Sequence, residues 1–294
     1  MTITEALHKA TARLYDYLHD PIGAAQEARW LLAHALTIPM AQLIALTRPL
    51  TATELSAYEE LLSARIHDEK PLAYILGSVP FCGLLLSVEP PILIPRHETE
   101  ELVTVLIEQL KPYAGLRILD LCSGSGAIAL ALAKHLPSAT VIGVDISQQA
   151  LTLANKNKTI SSLSNVSFVL SNLFTALETS EPFDVIISNP PYIPLTEWEA
   201  LPNTVKKWES SIALVGGDPD GLALYRAIIE QAPHFLSGRL RINGCLELIF
   251  EHGANQQEAL SALAIAQGFG HSVLWRDTFG KARALFCSYT PQDR

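Results

Sequence analysis

Phe183-Asp184-Val185-Ile186-Ile187-Ser188-Asn189-Pro190-Pro191-Tyr192 decides how this chain folds. Val185, Ile186 and Ile187 are β-branched, the composition of a strand buried on both faces. The run stops at Asn189-Pro190-Pro191, because proline has no N–H with which to continue a sheet ladder. The break therefore falls just past the carboxyl end of a strand, where open α/β sheets bind ligands. The prolines fix their own φ angles, and Pro190 restricts Asn189 to extended conformations. The result is a stiff hook that presents the Asn189 amide, the Asn189 and Pro190 carbonyls and the Tyr192 ring at one point. A planar NH2 group can donate to two of those oxygens while its flat face lies against Tyr192. The hook suits a carboxamide or a nucleobase amine. The plain alternative is a proline-rich turn that ends a strand and does nothing else.

Upstream lies Arg117-Ile118-Leu119-Asp120-Leu121-Cys122-Ser123-Gly124-Ser125-Gly126. It reads as a short strand, a glycine turn, and a helix from about Ala127. Glycines in the turn let backbone approach a ligand closely, and the helix start adds N–H donors. Ala129 stands where the dinucleotide fingerprint has its third glycine, so the motif is a different one. A second strand, Val141-Ile142-Gly143-Val144-Asp145, ends in an acid 19 residues after Gly126, placed to accept from a ribose diol. A third, Val166 to Leu170, leads into Ser171-Asn172-Leu173-Phe174, where Asn172 offers an adenine a polar partner and Leu173 an apolar wall. Each of these residues alone is as well explained as a cap or a loop residue. In this order, at successive strand ends, they outline one nucleoside pocket beside the hook.

Residues 1–72 read as a helical module. Ile3, Leu7, Ala10, Leu14 and Leu18 share a helical face. Asp20-Pro21 provides an N-cap and a first-turn proline for a helix through Leu36. Thr51 and Glu54 have capping-box spacing ahead of a stripe of Leu55, Tyr58, Leu62 and Ile66. No catalytic constellation falls here, so the expected role is recognition of a macromolecular partner, against packing alone. Residues 73–95 are expected to form a β-hairpin linker, with Tyr74–Leu76 and Leu84–Val88 as its strands. Residues 96–294 form the remaining domain. Its first helix opens at Ile94-Pro95-Arg96-His97-Glu98-Thr99-Glu100, where early acids suit the helix dipole. A long loop follows the hook to about Gly217, and loops of that length inside a compact domain are usually functional. Asp218-Pro219-Asp220-Gly221 is expected to start a helix, Gly244–Phe250 to form a strand, Asn255–Ala266 a helix, and Val273-Leu274 with Arg283–Ser288 a closing strand pair.

The composition limits the function classes. Of 294 residues 49% are hydrophobic and 17% charged, so a large buried core is expected and disorder is not. The net charge of −9 disfavours a broad phosphate-binding surface. The four cysteines (Cys82, Cys122, Cys245, Cys287) are scattered, which argues for a reducing cytosol and against a disulfide framework or a zinc site. The histidines lack metal-ligand spacing. No apolar run is long enough to span a bilayer, and Met1–Lys9 lacks the layout of a signal peptide. The expected localisation is cytoplasmic, with no metal, no membrane and no direct nucleic-acid binding.

Asp120-x-x-x-Gly124-x-Gly126, Asp145 and Asn189-Pro190-Pro191-Tyr192 resemble class I S-adenosylmethionine-dependent methyltransferases acting on an amino nitrogen. The helical module, the hairpin, Ile94 to Glu100, Ala213-Leu214-Val215-Gly216-Gly217 and Asp220-Gly221-Leu222 narrow the resemblance to the peptide chain release factor glutamine-N5 methyltransferases (HemK/PrmC family), over essentially the whole chain. The departures are His97 for the family's usual Pro, Cys122 for Gly, Asn172 for Asp, and Glu209-Ser210 for Glu-Pro. The resemblance implies a Rossmann-like α/β fold: a mostly parallel sheet with an antiparallel closing strand, and a small N-terminal helical domain. It implies S-adenosyl-L-methionine as cofactor, held by Cys122, Ser123, Gly124, Ser125, Gly126, Asp145, Asn172, Leu173 and Asn189. It implies transfer to the glutamine of the Gly-Gly-Gln loop of class 1 release factors. Asn189, Pro190 and Tyr192 would be catalytic, and Pro191 would join them in holding the substrate. A monomer is expected, because the partner is itself large. Three alternatives share parts of this reading: a glutamine methyltransferase of a ribosomal protein, a DNA adenine-N6 methyltransferase that flips its base into the hook, and a module that binds S-adenosylmethionine without turnover.

Overall fold

A computed structural model describes residues 1–239 and 247–289. The chain divides into two compact units, one of Met1–Gly77 with Pro202–Trp208, the other of Ser78–Leu201 with Glu209–Arg294.

The first unit is helical. Helix α1 (Ile3–Leu18) opens with a capping box between Thr2 and Glu5 and buries Ile3, Ala6, Ala10 and Leu14. Leu7 and Leu18 are partly buried against the same core. Helix α2 (Pro21–Ala35) has Asp20 as N-cap and Pro21 in its first turn. A short helix, α3 (Met40–Ala45), follows Pro39 and was not legible in the sequence pattern. Helix α4 (Ala52–Ile66) starts with the expected Thr51–Glu54 capping box and buries Tyr58 and Leu62. Arg65, 8% exposed, is forked onto Glu27 at 2.7 and 3.1 Å. Tyr74–Leu76, expected as a strand, instead ends helix α5 (Leu72–Leu76), which begins after Pro71 and stops at Gly77 with φ +72°. Five apolar residues do not distinguish strand from helix by periodicity, and here the proline start and glycine stop favour the helix.

The second unit opens with an antiparallel hairpin of β1 (Ser78–Phe81) and β2 (Leu84–Ser87). Its centre is a seven-stranded sheet. Strands β3 (Arg117–Leu121), β4 (Thr140–Asp145), β5 (Val166–Leu170), β6 (Val185–Ser188) and β7 (Leu248–Glu251) run parallel, and β8 (His271–Arg276) and β9 (Ala282–Ser288) close it, β9 antiparallel to β7. The order is β5-β4-β3-β6-β7-β9-β8. Every residue of β6 is buried, as its β-branched composition requires. Asp184 welds this strand to β3: its Oδ2 accepts from Arg117 N at 2.9 Å, its own N–H donates to Arg117 O, and its Oδ1 takes the Ser237 hydroxyl. Helices α6 (His97–Leu110), α7 (Ala127–His135) and α8 (Gln148–Ser161) lie between the early strands in sequence. Helix α9 (Asn203–Lys206) falls in the segment that belongs to the first unit. Helix α10 (Ala223–Gln231) starts five residues after Asp218, where a start was expected, because Asp218 to Gly221 forms a turn of its own. Helix α11 (Gln257–Ala266) ends where expected. Of the strand expected over Gly244–Phe250, residues 244–246 lie outside the described residues. No helix among the described residues is long and apolar enough to cross a membrane.

The chain passes outward from β3 to β4 and β5, then returns to place β6 on the other side of β3. The sheet thus reverses direction between β3 and β6, and a crevice opens outside the carboxyl ends of strands at such a point.

Candidate active site

A cavity of about 560 Å3 lies at this crevice, within the size range of cofactor sites. Cys122 and Gly124 line it from the turn after β3, Asp145 from the end of β4, Asn172 and Leu173 after β5, and Asn189 and Pro191 after β6. The register explains the convergence: Leu121 pairs with both Val144 and Ser188, so the three strands end level. The other wall comes from Pro91 to Leu93 and from Ile212 to Gly217, which sequence reasoning did not assign to a site.

The turn after β3 is built by hydrogen bonds rather than by glycines alone. Ser123 N–H donates to Val144 O at 3.0 Å and its hydroxyl to Asp120 O at 2.8 Å. Gly124 N–H donates to Asp145 Oδ2, and Ser147 N–H to Asp145 Oδ1, both at 2.8 Å. Cys122 and Gly124 have φ of +60° and +54°. A Cβ added to Gly124 meets nothing within 4 Å, so backbone there faces open space. Gly126 is different. Its Cβ would stand 2.7 Å from the Phe168 ring, so this glycine serves packing against β5. Ser123 and Ser125 are buried, and Ser125 O is taken by Asn157 Nδ2. Ser123, Ser125 and Gly126 therefore shape the turn from behind, while Cys122 and Gly124 border the cavity.

The carboxylate at the end of β4 suits a ligand that donates hydrogen bonds. Burial raises the Asp145 carboxyl, and the N–H groups of Ser147, Gly124 and Ile146 oppose that rise. Each Asp145 oxygen takes one backbone N–H and keeps a lone pair, so the pair can accept two hydroxyls. Burial pushes the Cys122 thiol up to about 12, which rules it out as a nucleophile at neutral pH. Asp120 does not reach the cavity. Its Oδ2 accepts Ala129 N–H in the first turn of α7, and its Oδ1 has no partner among the described residues. Burial, with the charge of Asp145 adding to it, pushes Asp120 up to about 7. A carboxyl whose folded value lies above its unfolded one, about 4, stabilises the fold at low pH and loses that contribution as pH rises through the folded value. Asp120→Asn should therefore match wild type in urea melts at pH 4 and become the more stable of the two by pH 8. A stability difference that does not change with pH would rule out a buried, titrating Asp120.

The hook is held on three sides. Asn189 Nδ2 donates to Thr99 Oγ1 of α6 at 3.4 Å. Tyr192 O accepts from Gln256 Nε2 at 3.0 Å, and Gln256 also binds Asp220 O. The Tyr192 ring lies against Gly253, where a Cβ would come within 3.1 Å of it. Burial, then the charge of Glu251, pushes the Tyr192 hydroxyl up to about 12, so it stays protonated at neutral pH. Ile193 returns beside Val215 through hydrogen bonds to Leu214 O and from Gly216 N. Arg96, the residue before α6, pairs at 2.5 Å with Glu209, whose side chain is 1% exposed. Ser210 N–H donates to Pro91 O at 2.9 Å, so the two outer cavity segments are tied together. Ser210 does this with a backbone N–H that proline would lack. Pro190 and Tyr192 stand beside the cavity lining rather than in it, and no group of His, Cys, Asp and Glu suited to a metal occurs among the described residues.

A carboxylate with free lone pairs, bare backbone, an apolar wall and the Asn189 amide thus meet at one crevice. Known proteins agree with that chemistry. Residues 113–259 match the family model for a methyltransferase domain, and residues 5–77 match the PrmC N-terminal domain. Among solved structures, the hMettl16 catalytic domain in complex with a MAT2A 3′UTR hairpin aligns with a TM-score of 0.55 at 16% identity, covering 81% of this chain and 82% of that one. The T. thermophilus 16S rRNA N2 G1207 methyltransferase in complex with AdoMet and guanosine aligns at 0.51 and 21%, covering 72% and 50%. Both show the methyltransferase fold. The release factor glutamine methyltransferase of Geobacter sulfurreducens is 40% identical over 264 residues, 90% of this chain and 89% of that protein. The one from Vibrio cholerae is 36% identical over 289 residues, 98% and 97%. With both units matched and the alignments running nearly end to end, this chain belongs to the release factor glutamine methyltransferase family.

Proposed function

We propose that this enzyme methylates the side-chain amide nitrogen of the glutamine in the Gly-Gly-Gln loop of class 1 peptide chain release factors, as a cytoplasmic monomer. The observation that carries the reading is the hook at the cavity wall, with the Asn189 amide tethered through its nitrogen and its oxygen left to accept. S-adenosyl-L-methionine fits the residues present: Asp145 for the ribose hydroxyls, Asn172 and Leu173 for the adenine, and the Cys122 and Gly124 backbone alongside. When bound it supplies a methyl group activated by a sulfonium. The helical unit is assigned to recognition of the release factor.

A carboxamide nitrogen is a poor nucleophile because its lone pair is delocalised into the carbonyl. Asn189 Oδ1 and the Pro190 carbonyl accept its two N–H groups, and Tyr192 packs against the amide face. These contacts fix the nitrogen and turn its lone pair toward the donor site, so positioning does most of the work. The acceptor dipoles also stabilise positive charge developing on nitrogen. The methylated nitrogen then loses a proton to water, so no residue with a shifted pKa is required as base.

Intact-mass measurement of an unmodified class 1 release factor, incubated with the enzyme and S-adenosyl-L-methionine, tests this. One methyl group should be gained, and none on a Gln→Ala variant of the loop. An unchanged release factor, with the cofactor bound, would shift the assignment to another amide substrate.

A further inference from the structure

Behind the hook lies a carboxyl that the mechanism above does not use. Ser188 pairs with Phe250 across β6 and β7, which sets Glu251 beside Asn189 at the level where both strands end. Glu251 is 4% exposed, and its Oε2 is buried with no partner among the described residues. The Thr99 hydroxyl lies beside it and favours its ionised form. Thr99, 4% exposed, is also the residue that receives the Asn189 Nδ2. Three polar groups from three elements therefore stand in a row: Glu251 at the end of β7, Thr99 in α6, Asn189 in the hook.

Hydrogen-bond direction passes along this row. An ionised carboxylate only accepts. Once the Thr99 hydroxyl turns its single proton to that carboxylate, its oxygen can only accept from the other side. Only the NH2 end of the Asn189 amide can meet that oxygen. The Oδ1 end then faces the substrate, whose own NH2 must donate. A flipped Asn189 would set two donors against each other at the substrate and two acceptors against each other at Thr99.

We propose that Thr99, backed by Glu251, is a positioning residue that sets which way round the Asn189 amide is held, and so which end of it meets the substrate glutamine. This deepens the reading of the hook as a glutamine-amide acceptor and rests on it. Other groups face Glu251: Arg96 and Glu98 from the start of α6, Arg283 from β9, Tyr192 of the hook, and Tyr225 of α10, whose hydroxyl donates to Glu251 O at 2.7 Å. Burial first, and Glu98 after it, push the carboxyl up to about 7, against Thr99, Arg283 and Arg96. A protonated Glu251 donates as well as accepts, and the direction of the row is no longer fixed.

The test uses the full chain with a class 1 release factor. Thr99→Val keeps the shape and removes the hydroxyl. It should lower kcat about 10- to 100-fold, with KM for the release factor and cofactor affinity close to wild type, and Thr99→Ser should recover most of the loss. In wild type kcat should rise with pH through a limb near 7, and Glu251→Gln should abolish that limb. A readout without turnover is the Asn189 side-chain amide resonance, identified by its loss in Asn189→Ala. It should move with pH over the same range in wild type and stay fixed in Glu251→Gln. Wild-type kcat in Thr99→Val, or an unaltered limb and titration in Glu251→Gln, would overturn the proposal. A wild-type enzyme that methylates no release factor would instead refute the substrate reading, while the resonance measurement still judges the row. Should Thr99→Val fail to fold, Thr99→Ser and the two titrations decide.

Discussion

Asn189→Ala should reduce methyl transfer by at least about 10²–10³-fold, the scale of losing one preorganised group at a reacting centre, while cofactor affinity stays within a few-fold of wild type. The asymmetry follows from where Asn189 sits. It borders the cavity at the end of β6, whereas Asp145, the carboxylate proposed for the ribose diol, is two strands away on β4. Removing the Asn189 side chain takes away the acceptor proposed to orient the substrate amide but leaves Asp145 held by Gly124 and Ser147. The opposite split is expected of Asp145→Ala: weaker cofactor binding first, and turnover largely restored at saturating cofactor. Asn189→Asp is a sharper variant. It keeps an oxygen toward the substrate but presents a second one to Thr99 and adds charge close to buried Glu251. It should be nearly as impaired as the alanine variant. Calorimetric titration with the cofactor, alongside single-turnover methylation, separates the two effects. An Asn189→Ala enzyme that turns over normally would remove the hook from the chemistry.

The hook and the acid at the end of β4 could be read from sequence because each is local. Two prolines end a strand wherever they fall, and an acid closing an apolar run marks a strand end. What holds the hook in place was not legible, because the partners are distant in sequence. Asn189 and Thr99 are 90 residues apart, Arg96 and Glu209 113, Gln256 and Tyr192 64. A carboxylate or amide carries no local mark of a partner that far away, so Thr99 read only as part of a helix start and Gln256 as nothing in particular. Gly124 and Gly126 show a second limit. Both were read as letting backbone approach a ligand, and both have positive φ, yet Gly124 faces the cavity and Gly126 faces Phe168. The pattern marks the turn but not what lies where each side chain would be. Asp120 was read only as a motif residue before the glycine turn, and the structure uses it to satisfy an otherwise orphaned N–H of α7.

Gly221→Ala should cost both stability and catalysis, although Gly221 carries no side chain to lose. Its φ is +71°, and a Cβ there would stand 2.1 Å from the Tyr192 carbonyl oxygen and 3.1 Å from Gln256 Nε2. The left-handed backbone alone disfavours alanine by about 1–2 kcal/mol. The clash adds to this and cannot be relieved cheaply. The atom struck is backbone, and it is itself bound by Gln256, which also ties down Asp220 O. Either the turn at 218–221 moves or the hook does. A displacement of the hook by about 1 Å is enough to lower turnover about 10²-fold through lost alignment. Gly115→Ala is the matched control. Its φ is +67° and nothing lies within 4 Å of the added Cβ, so it bears the backbone cost without the collision. Both variants should melt below wild type, Gly221→Ala further, and only Gly221→Ala should lose turnover in the folded enzyme, with cofactor affinity nearly unchanged. If the two have equal kcat, the packing of Gly221 against Tyr192 does not position the hook, and the precision of the site must come from Thr99 and Gln256 alone.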